Sequence, residues 1–206
     1  VKHKTAHILS LQSLIARCSG QRISSNELRT FTSADLQQLL REDHLVLSAQ
    51  ANLDSISFFK QQIHGLEKVI KNKLKLSQAF NTLLTVPGIG NILAMTIMLE
   101  VGDIGRFAKV GNFTSYCRCA PTQRLSDGKS KGSGNRKNGN RYLSWAFSEA
   151  AQMSRRYNQR FRRYHDRKAA QTNTIVAARA LSNKLARVCY YIMRDQVAFN
   201  EELILH

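Results

Sequence analysis

Apolar residues recur at helical spacing through most of the chain. In residues 2–18, Ile8, Leu11, Leu14 and Ile15 fall on one helix face, and Gly20 follows as a terminator. Ser33 has the side chain of an N-cap for a short helix that carries Leu36, Leu39 and Leu40. A sustained alternation of apolar and polar residues, which is typical of strands, is absent from the sequence. The pattern predicts a mainly α-helical protein with at most a short hairpin around residues 118–137.

The longest helical pattern runs from about Asp43 to Leu76 and has Gly65 as its single glycine and no proline. An apolar stripe follows it at 3-4-3-4 spacing: Ile56, Phe59, Ile63, Leu66 and Ile70. Such a stripe can pair with another helix, in the same chain as a hairpin or in a second protomer as a coiled coil. We therefore expect a long helical hairpin or coiled-coil region over residues 1–80. The repeat also favours a homo-oligomer, a dimer or a tetramer.

Residues 81–206 are expected to form a compact helical domain, and the tetrapeptide PGIG at 87–90 interrupts its first apolar segments. Gly88 and Gly90 would let backbone amides approach a phosphate, and the N-terminus of the following helix adds its dipole. This is the logic of a helix-hairpin-helix motif, which holds the DNA backbone without recognising base sequence. An ordinary turn between two core helices is the alternative.

Two further helical patterns lie in the C-terminal part. Residues 172–198 present an apolar face that is predicted to point inward: Ile175, Ala178, Leu181, Leu185, Val188 and Ile192. In residues 155–168, Tyr157, Phe161 and Tyr164 recur at a 4-3 spacing among seven Lys and Arg residues. We predict that these rings contact the core rather than stack on nucleic-acid bases, and that the arginines point outward.

The positive charge of the chain, +17 in total, is concentrated in one region. Residues 1–103 hold 11 Lys and Arg against 8 Asp and Glu, whereas residues 104–194 hold 20 against 3. This concentration favours a binding surface for a polyanion, DNA or RNA, over charge that only maintains solubility. A membrane-spanning run of about 18 apolar residues and a signal segment are both absent from the sequence. We expect a cytoplasmic, nucleoid-associated protein of a bacterium or archaeon, without a membrane partner.

The cysteines and acids argue against a metal site. Four cysteines do not suggest a disulfide framework, and Cys117-Arg-Cys119 lacks the second pair of a structural zinc site. We expect these two thiols in or near the core. The basic region contains only Asp127, Glu149 and Asp166, too few converging carboxylates for a two-metal nuclease. The chain is therefore expected to hold no metal and no cofactor.

The segment 121–145, PTQRLSDGKSKGSGNRKNGNRYLSW, is the candidate for phosphodiester chemistry. Four glycines are interspersed with six cations: Arg124, Lys129, Lys131, Arg136, Lys137 and Arg141. A flexible cationic loop joined to a helical core would suit a phosphate backbone, although a solvated surface loop is the alternative. A hydroxyl beside these cations could attack phosphorus. Position alone favours Ser126, Ser130 and Ser133 without choosing among them.

Several motifs in order resemble the C-terminal transposase domain of the bridge-RNA-guided insertion-sequence transposases, which pair a RuvC-like DEDD domain with a serine-bearing domain. The motifs are PGIG, Gly102-Asp103-Ile104 with Arg106-Phe107, the segment Phe113–Tyr116, LSDGKSKG and KNGNRYL. The resemblance covers about residues 83–197, and the long helix before it resembles the coiled-coil linker of that family. It implies a DNA transposase of a mobile element that acts in DNA recombination, with DNA and a guide RNA as partners.

The resemblance also implies roles for individual residues. Ser126 corresponds to the nucleophilic serine that would form a covalent phosphoserine link to DNA. The residues expected to hold nucleic acid are Gly88, Gly90, Arg124, Lys129, Lys131, Arg136, Lys137, Asn140 and Arg141. The RuvC-like domain of the family, with its four Mg²⁺-binding acids, has no counterpart in this sequence. We therefore expect a fragment or a degenerate copy that binds nucleic acid more readily than it cuts it.

Two other functions remain open. One is a non-catalytic helix-hairpin-helix protein that binds DNA in recombination or repair. The other is a basic helical module that binds RNA, which explains neither PGIG nor the KNGN turn.

Overall fold

The computed structural model describes residues 1–75, 77–120, 123–133 and 138–201, with the backbone alone at 123–125, 130 and 133. In these residues the elements are α1 (Lys2–Ser19), α2 (Ser33–Leu39), α3 (Asp43–Leu74), α4 (Gln78–Leu83), α5 (Asn91–Val101), α6 (Val110–Tyr116), β1 (Gln123–Ser126), β2 (Lys129–Ser133), α7 (Arg141–Tyr157), α8 (Gln159–Gln171) and α9 (Thr174–Asp195). Short 3₁₀ turns lie at Glu27–Arg29 and Ile104–Arg106. The predicted mainly α-helical fold is confirmed, and so is the short hairpin. The chain divides into two compact units, Val1–Ile70 and Lys71–His206.

The core of the N-terminal unit joins α1, α2 and the first part of α3. Its buried members are Leu11, Ile15, Leu28, Leu36, Leu40, Ala49 and Ile56. The unit also has a stacked contact between His7 and Phe59, with 5.9 Å between the ring centroids. The expected N-cap at Ser33 is wrong by one residue. Thr32 is the cap, because Thr32 and Asp35 form a reciprocal capping box that satisfies two backbone amides.

The apolar stripe of α3 is most completely covered at its beginning, and its later members Ile63 and Ile70 are half-buried. Ile56 is 8% exposed, whereas Leu66 and the neighbouring Val69 are 64% and 57% exposed. A helical hairpin with α1 is therefore present for the first part of α3. Pairing of the later part with a second protomer stays a prediction.

The C-terminal unit is organised around α9, which packs against α4, α6, α7 and α8. Leu181, Leu185, Val188 and Ile192 are buried on α9, as predicted. The inward position predicted for Ile175 is wrong, since this side chain is 78% exposed. The first buried residue of α9 is Ala177, so Ile175 lies in the first turn, ahead of the packed part of the helix.

The basic stretch 155–168 is not one continuous helix. Helix α7 ends at Tyr157, and Asn158 begins α8 by accepting a hydrogen bond from the Phe161 amide at 3.0 Å. Phe161 is buried, as predicted, and Tyr164 is half-buried. Tyr157 is 71% exposed, so its predicted core position is wrong. The helix end at Tyr157 breaks the periodicity on which that prediction depended.

Candidate nucleic-acid interface

Ser126 lies at the tip of the β1–β2 hairpin. The strands are antiparallel, and Ser126 is the register partner of Lys129 across the two-residue turn Asp127-Gly128. Both turn residues have positive φ, 53° and 68°, which suits the right-handed twist of a two-residue hairpin. Directly opposed residues of an antiparallel pair project on the same face, so Ser126 and Lys129 share one side of the hairpin.

The tip of the hairpin is open to solvent. Ser126, Asp127, Lys129 and Lys131 are all exposed. The two strands pack chiefly against each other, and no helix is among their main packing partners in the described residues. The hairpin therefore presents a hydroxyl and two ammonium groups at a projecting, accessible end.

Three predicted nucleic-acid ligands cannot be placed in this arrangement. Arg136 and Lys137 lie outside the described residues. The backbone of Arg124 belongs to β1, and its side chain lies outside the described atoms.

The segments that flank the hairpin are fastened to each other. The backbone N–H of Asn140 donates to the Tyr116 carbonyl oxygen at 2.6 Å. Arg118 donates through Nε and a terminal nitrogen to the Gly139 carbonyl, at 3.0 and 2.7 Å. Gly139 has φ 93°, and a Cβ there would lie 2.5 Å from the Tyr116 carbonyl oxygen, so the close approach needs glycine. The hairpin thus has a fixed base between the end of α6 and the start of α7.

Asn140 uses both ends of its side chain inside the protein. Its Oδ1 accepts from the amides of Tyr142 and Leu143 at 2.8 and 3.0 Å, which caps α7. Its Nδ2 donates to Glu100 Oε2 at 2.6 Å, at the end of α5. These contacts place Asn140 at the junction of α5, α6 and α7 and assign it a structural task, whatever it also contributes to binding.

Tyr116 and Arg106 complete the polar cluster around Asn140. Hydrogen bonds from Asn140 and then from Arg106 lower the pKa of the Tyr116 hydroxyl below its usual value. The Arg106 guanidinium also lies 4.7 Å from the centre of the Tyr116 ring. Asn140, Tyr116 and Arg106 thus form a hydrogen-bonded cluster at the base of the hairpin.

Arg141 is exposed at the first position of α7, beside the fixed base. Its guanidinium donates to the Tyr142 hydroxyl at 2.8 Å and lies 4.8 Å from the centre of that ring. Tyr142 and Trp145 on the same turn are 49% and 47% exposed. An arginine held over an exposed ring can bind a phosphate while the ring stacks on an adjacent base.

The PGIG turn connects α4 to α5, and its two glycines have different environments. A Cβ on Gly88 would lie 2.5 Å from both N and Oγ of Ser154 and 2.7 Å from the Ala150 carbonyl oxygen. Ser154 Oγ also donates to the Pro87 carbonyl oxygen at 2.5 Å. Gly88 is therefore packed against α7. Gly90 is exposed and caps α5, and no atom beyond its chain neighbours lies within 4 Å of where a Cβ would be.

The three cysteines of the C-terminal unit lie in its core. Cys117, Cys119 and Cys189 are buried, in agreement with the expected core position of the first two. Burial raises the pKa of Cys119 to about 12 and also raises the pKa values of Cys117 and Cys189, so these thiols stay neutral. In the part of the chain that the structure describes, no group of three or more His, Cys, Asp or Glu side chains could hold a metal ion. No helix of that part has the length and apolar composition needed to cross a bilayer.

Glu100 and Arg118 are the residues of this region that the sequence prediction missed. Glu100 lies 40 positions from its partner Asn140, and Arg118 lies 21 positions from Gly139. No short motif contains either pair. The backbone of Arg118 has φ 56°, which only the folded chain reveals.

The sequence of this chain is similar to those of known insertion-sequence proteins. A family model described as Transposase IS116/IS110/IS902 family matches residues 80–166. The transposase for insertion sequence element IS1328 of Yersinia enterocolitica is 30% identical over 148 residues, which are 68% of this chain and 43% of that protein. A 43.6 kDa protein of insertion element IS110 from Streptomyces coelicolor is 25% identical over 178 residues, 82% of this chain and 44% of that protein. The chain spans less than half the length of either of these curated relatives.

Proposed function

This chain belongs to the transposase IS116/IS110/IS902 family through residues 80–166, and we propose that it supplies the DNA-binding, serine-bearing part of an insertion-sequence transposase. The observation that carries the proposal is the projecting hairpin, with exposed Ser126 paired to exposed Lys129 at its tip. A fixed base holds that tip away from the helical core while the two lysines remain available to phosphates.

In the proposed reaction, Ser126 Oγ forms a bond to the phosphorus of a DNA phosphodiester. The bond from phosphorus to one deoxyribose oxygen breaks, and that oxygen takes a proton from solvent as the serine proton is lost to solvent. One DNA end is then a phosphoserine ester and the other a free hydroxyl. Lys129 and Lys131 stabilise the negative charge that develops on the phosphoryl oxygens. The resemblance assigns Mg²⁺ to the RuvC-like domain of the family, and the described residues contain no group of three or more His, Cys, Asp or Glu side chains that could hold a metal ion.

The DNA-binding part is tested by removing the hairpin charges. Lys129→Gln with Lys131→Gln should reduce the salt dependence of duplex binding by up to about 1.8 in the slope of log K against log salt, because each lost phosphate contact contributes about 0.9. Lys60→Gln with Lys68→Gln removes two exposed charges from α3 and is the matched control. Equal effects of both double variants would refute a specific role of the hairpin.

The covalent step is tested with DNA that contains a bridging phosphorothiolate at the 3′ or 5′ side of one linkage. A thiolate leaves without needing a proton, so the nucleophile alone can be observed. We expect denaturation-resistant adducts, mapped to Ser126 by mass spectrometry, that are lost in Ser126→Ala and retained in Ser130→Ala and Ser133→Ala. With unmodified DNA and Mg²⁺, we expect binding without efficient strand transfer by this chain alone.

The alternative is a non-catalytic helix-hairpin-helix protein, and the open position of Gly90 at the start of α5 favours it. That function predicts duplex binding by wild type and no phosphorothiolate adduct in any variant. An adduct that persists in Ser126→Ala would refute the assignment of the nucleophile.

We propose that a second copy of this chain covers the later part of the α3 stripe. Leu66 of the stripe and the neighbouring Val69 are largely exposed there, and the 3-4 spacing of the stripe is the spacing that pairs helices. The resemblance also implies a guide RNA as a ligand of the assembled protein, and the cationic C-terminal unit is the part with the charge to hold it.

A further inference from the structure

A cavity of about 620 Å³ lies between α8, α9 and the residues that follow α9. Two rings, Tyr164 and Tyr191, and two cations, Lys184 and Arg187, line it. The buried side chains of Val188 and Ile192 add apolar lining. The cavity, called the α9 groove here, thus combines aromatic, apolar and cationic surface in a volume that suits small organic groups.

Among the residues that the structure describes, the cations of the α9 groove have no acidic partners. In the described part of the chain, no carboxylate forms an ion pair with Lys184, Arg187 or the nearby Arg167. Asp195, the acid in the described lining, is instead bound by Arg194 at 2.6 and 2.9 Å. Partial burial, and then repulsion by Arg167 and Arg187, lowers the pKa of Lys184. Uncompensated positive charge in a partly closed groove favours an anionic ligand.

The rings are arranged for stacking beside these charges. Lys184 Nζ lies 4.8 Å from the centre of the Tyr164 ring, and the Arg194 guanidinium lies 4.9 Å from that of Tyr191. Tyr191 is 39% exposed, so part of its surface remains accessible. Aromatic rings next to cations are how proteins hold unpaired bases and their phosphates.

The α9 groove has the length and position to continue a path from the hairpin. Its residues Ala180, Lys184, Arg187 and Tyr191 span 11 positions of α9, or about 16 Å at the helical rise. That length is enough for a few nucleotides of an unpaired strand. At one end, Asn183 lines the groove and donates to the Cys119 carbonyl at 3.3 Å, four residues before β1 begins.

We propose that the α9 groove binds a short stretch of single-stranded DNA beside the hairpin, with bases against Tyr164 and Tyr191 and phosphates against Lys184 and Arg187. The inference rests on the proposed function, because the ligand is DNA, and adds that part of this DNA is unpaired. Bases inside a duplex are stacked on one another and cannot enter such a groove, whereas the bases of a single strand present their faces.

The test measures binding of the full chain to a short oligothymidylate and to a duplex. Lys184→Gln with Arg187→Gln should reduce the salt slope for the oligothymidylate by about 1.4, at about 0.7 for each single-strand phosphate contact. Tyr164→Leu should weaken this binding by about fivefold or more through loss of stacking. Arg163→Gln with Lys168→Gln removes two charges of α8 outside the groove lining and should have the smaller effect.

A second measurement needs no variant. Oligothymidylate carrying 5-iodouracil, irradiated with the wild-type chain, should crosslink to Tyr164 or Tyr191. Crosslinks confined to Tyr142 and Trp145 would overturn the inference. So would groove variants that lose affinity for a matching RNA oligomer but not for the oligothymidylate. If the groove variants bind oligothymidylate as the wild type does, while duplex binding is retained and still depends on the hairpin, this inference alone is overturned. Absence of duplex binding by wild type would overturn the proposed function instead.

Discussion

Gly88 offers the sharpest test of how the PGIG turn is built. Its backbone has φ 90°, a region that side-chain-bearing residues rarely adopt. A methyl group there would also lie 2.5 Å from the Ser154 amide nitrogen and 2.7 Å from the Ala150 carbonyl oxygen. These are backbone atoms of α7, which cannot move aside as the end of a flexible side chain can. Gly88→Ala should therefore force the turn and the helix apart.

The magnitude follows from three contributions. The left-handed backbone costs about 1–2 kcal/mol with a Cβ present. Overpacking against α7 costs about 1–3 kcal/mol. Loss of the hydrogen bond from Ser154 Oγ to the Pro87 carbonyl adds about 1 kcal/mol. A total of about 3–6 kcal/mol is a large fraction of the stability of a typical domain, about 5–15 kcal/mol.

Urea unfolding followed by tryptophan fluorescence measures this change. Trp145 is the single tryptophan of the chain and lies on α7, so its emission follows the C-terminal unit. With a slope of about 2 kcal/mol per molar urea, the midpoint should fall by about 1.5–3 M. Gly90→Ala is the matched control in the same turn. Its φ is −92° and its position is open, so its cost should stay within about 1 kcal/mol.

Equal destabilisation by the two substitutions would refute the packing role of Gly88. The same two variants, Gly88→Ala and Gly90→Ala, also distinguish a packing role of the turn from a contact between its amides and a DNA phosphate. If amides of the turn approach DNA, Gly90→Ala should weaken duplex binding while the urea midpoint changes little.

Two further predictions concern the hairpin base and α3. Asn140→Ala should destabilise the C-terminal unit by about 2 kcal/mol in urea unfolding, because α7 loses its cap and Glu100 loses its donor. The control Arg141→Gln changes an exposed residue, and its effect on the free energy of unfolding should stay within about 0.5 kcal/mol. Similar values for both variants would contradict the structural role of Asn140. In sedimentation experiments, Leu66→Lys on the exposed stripe should shift an oligomer towards monomer, and His64→Lys, exposed on the same helix, should not. An oligomer that survives Leu66→Lys would exclude the stripe as the contact.

Much of the architecture is encoded locally. Helical spacing of apolar residues correctly predicted α1, the long α3 and the buried face of α9 from Leu181 onward, because one amphipathic helix needs only its own periodicity. The dipeptide Asp127-Gly128 specifies the hairpin turn through its tolerance of positive φ. The concentration of Lys and Arg after residue 104 is likewise visible before any folding.

The errors occur where helix ends matter. Tyr157 and Ile175 both fit an apolar periodicity, yet one lies at the last position of α7 and the other in the first turn of α9. Periodicity describes which residues share a face, but it does not say where a neighbouring helix stops covering that face. Both side chains are therefore exposed.

The candidate site divides in the same way. A basic segment with Ser126 in a glycine-containing turn can be recognised from consecutive residues. Its attachment cannot, because Asn140 reaches Glu100 across 40 positions and Arg118 reaches Gly139 across 21. The α9 groove likewise needs Tyr164 and Lys184 from two helices, 4.8 Å apart. Local spacing selects helices and turns, whereas such contacts arise only when the packing of all the helices brings distant segments together.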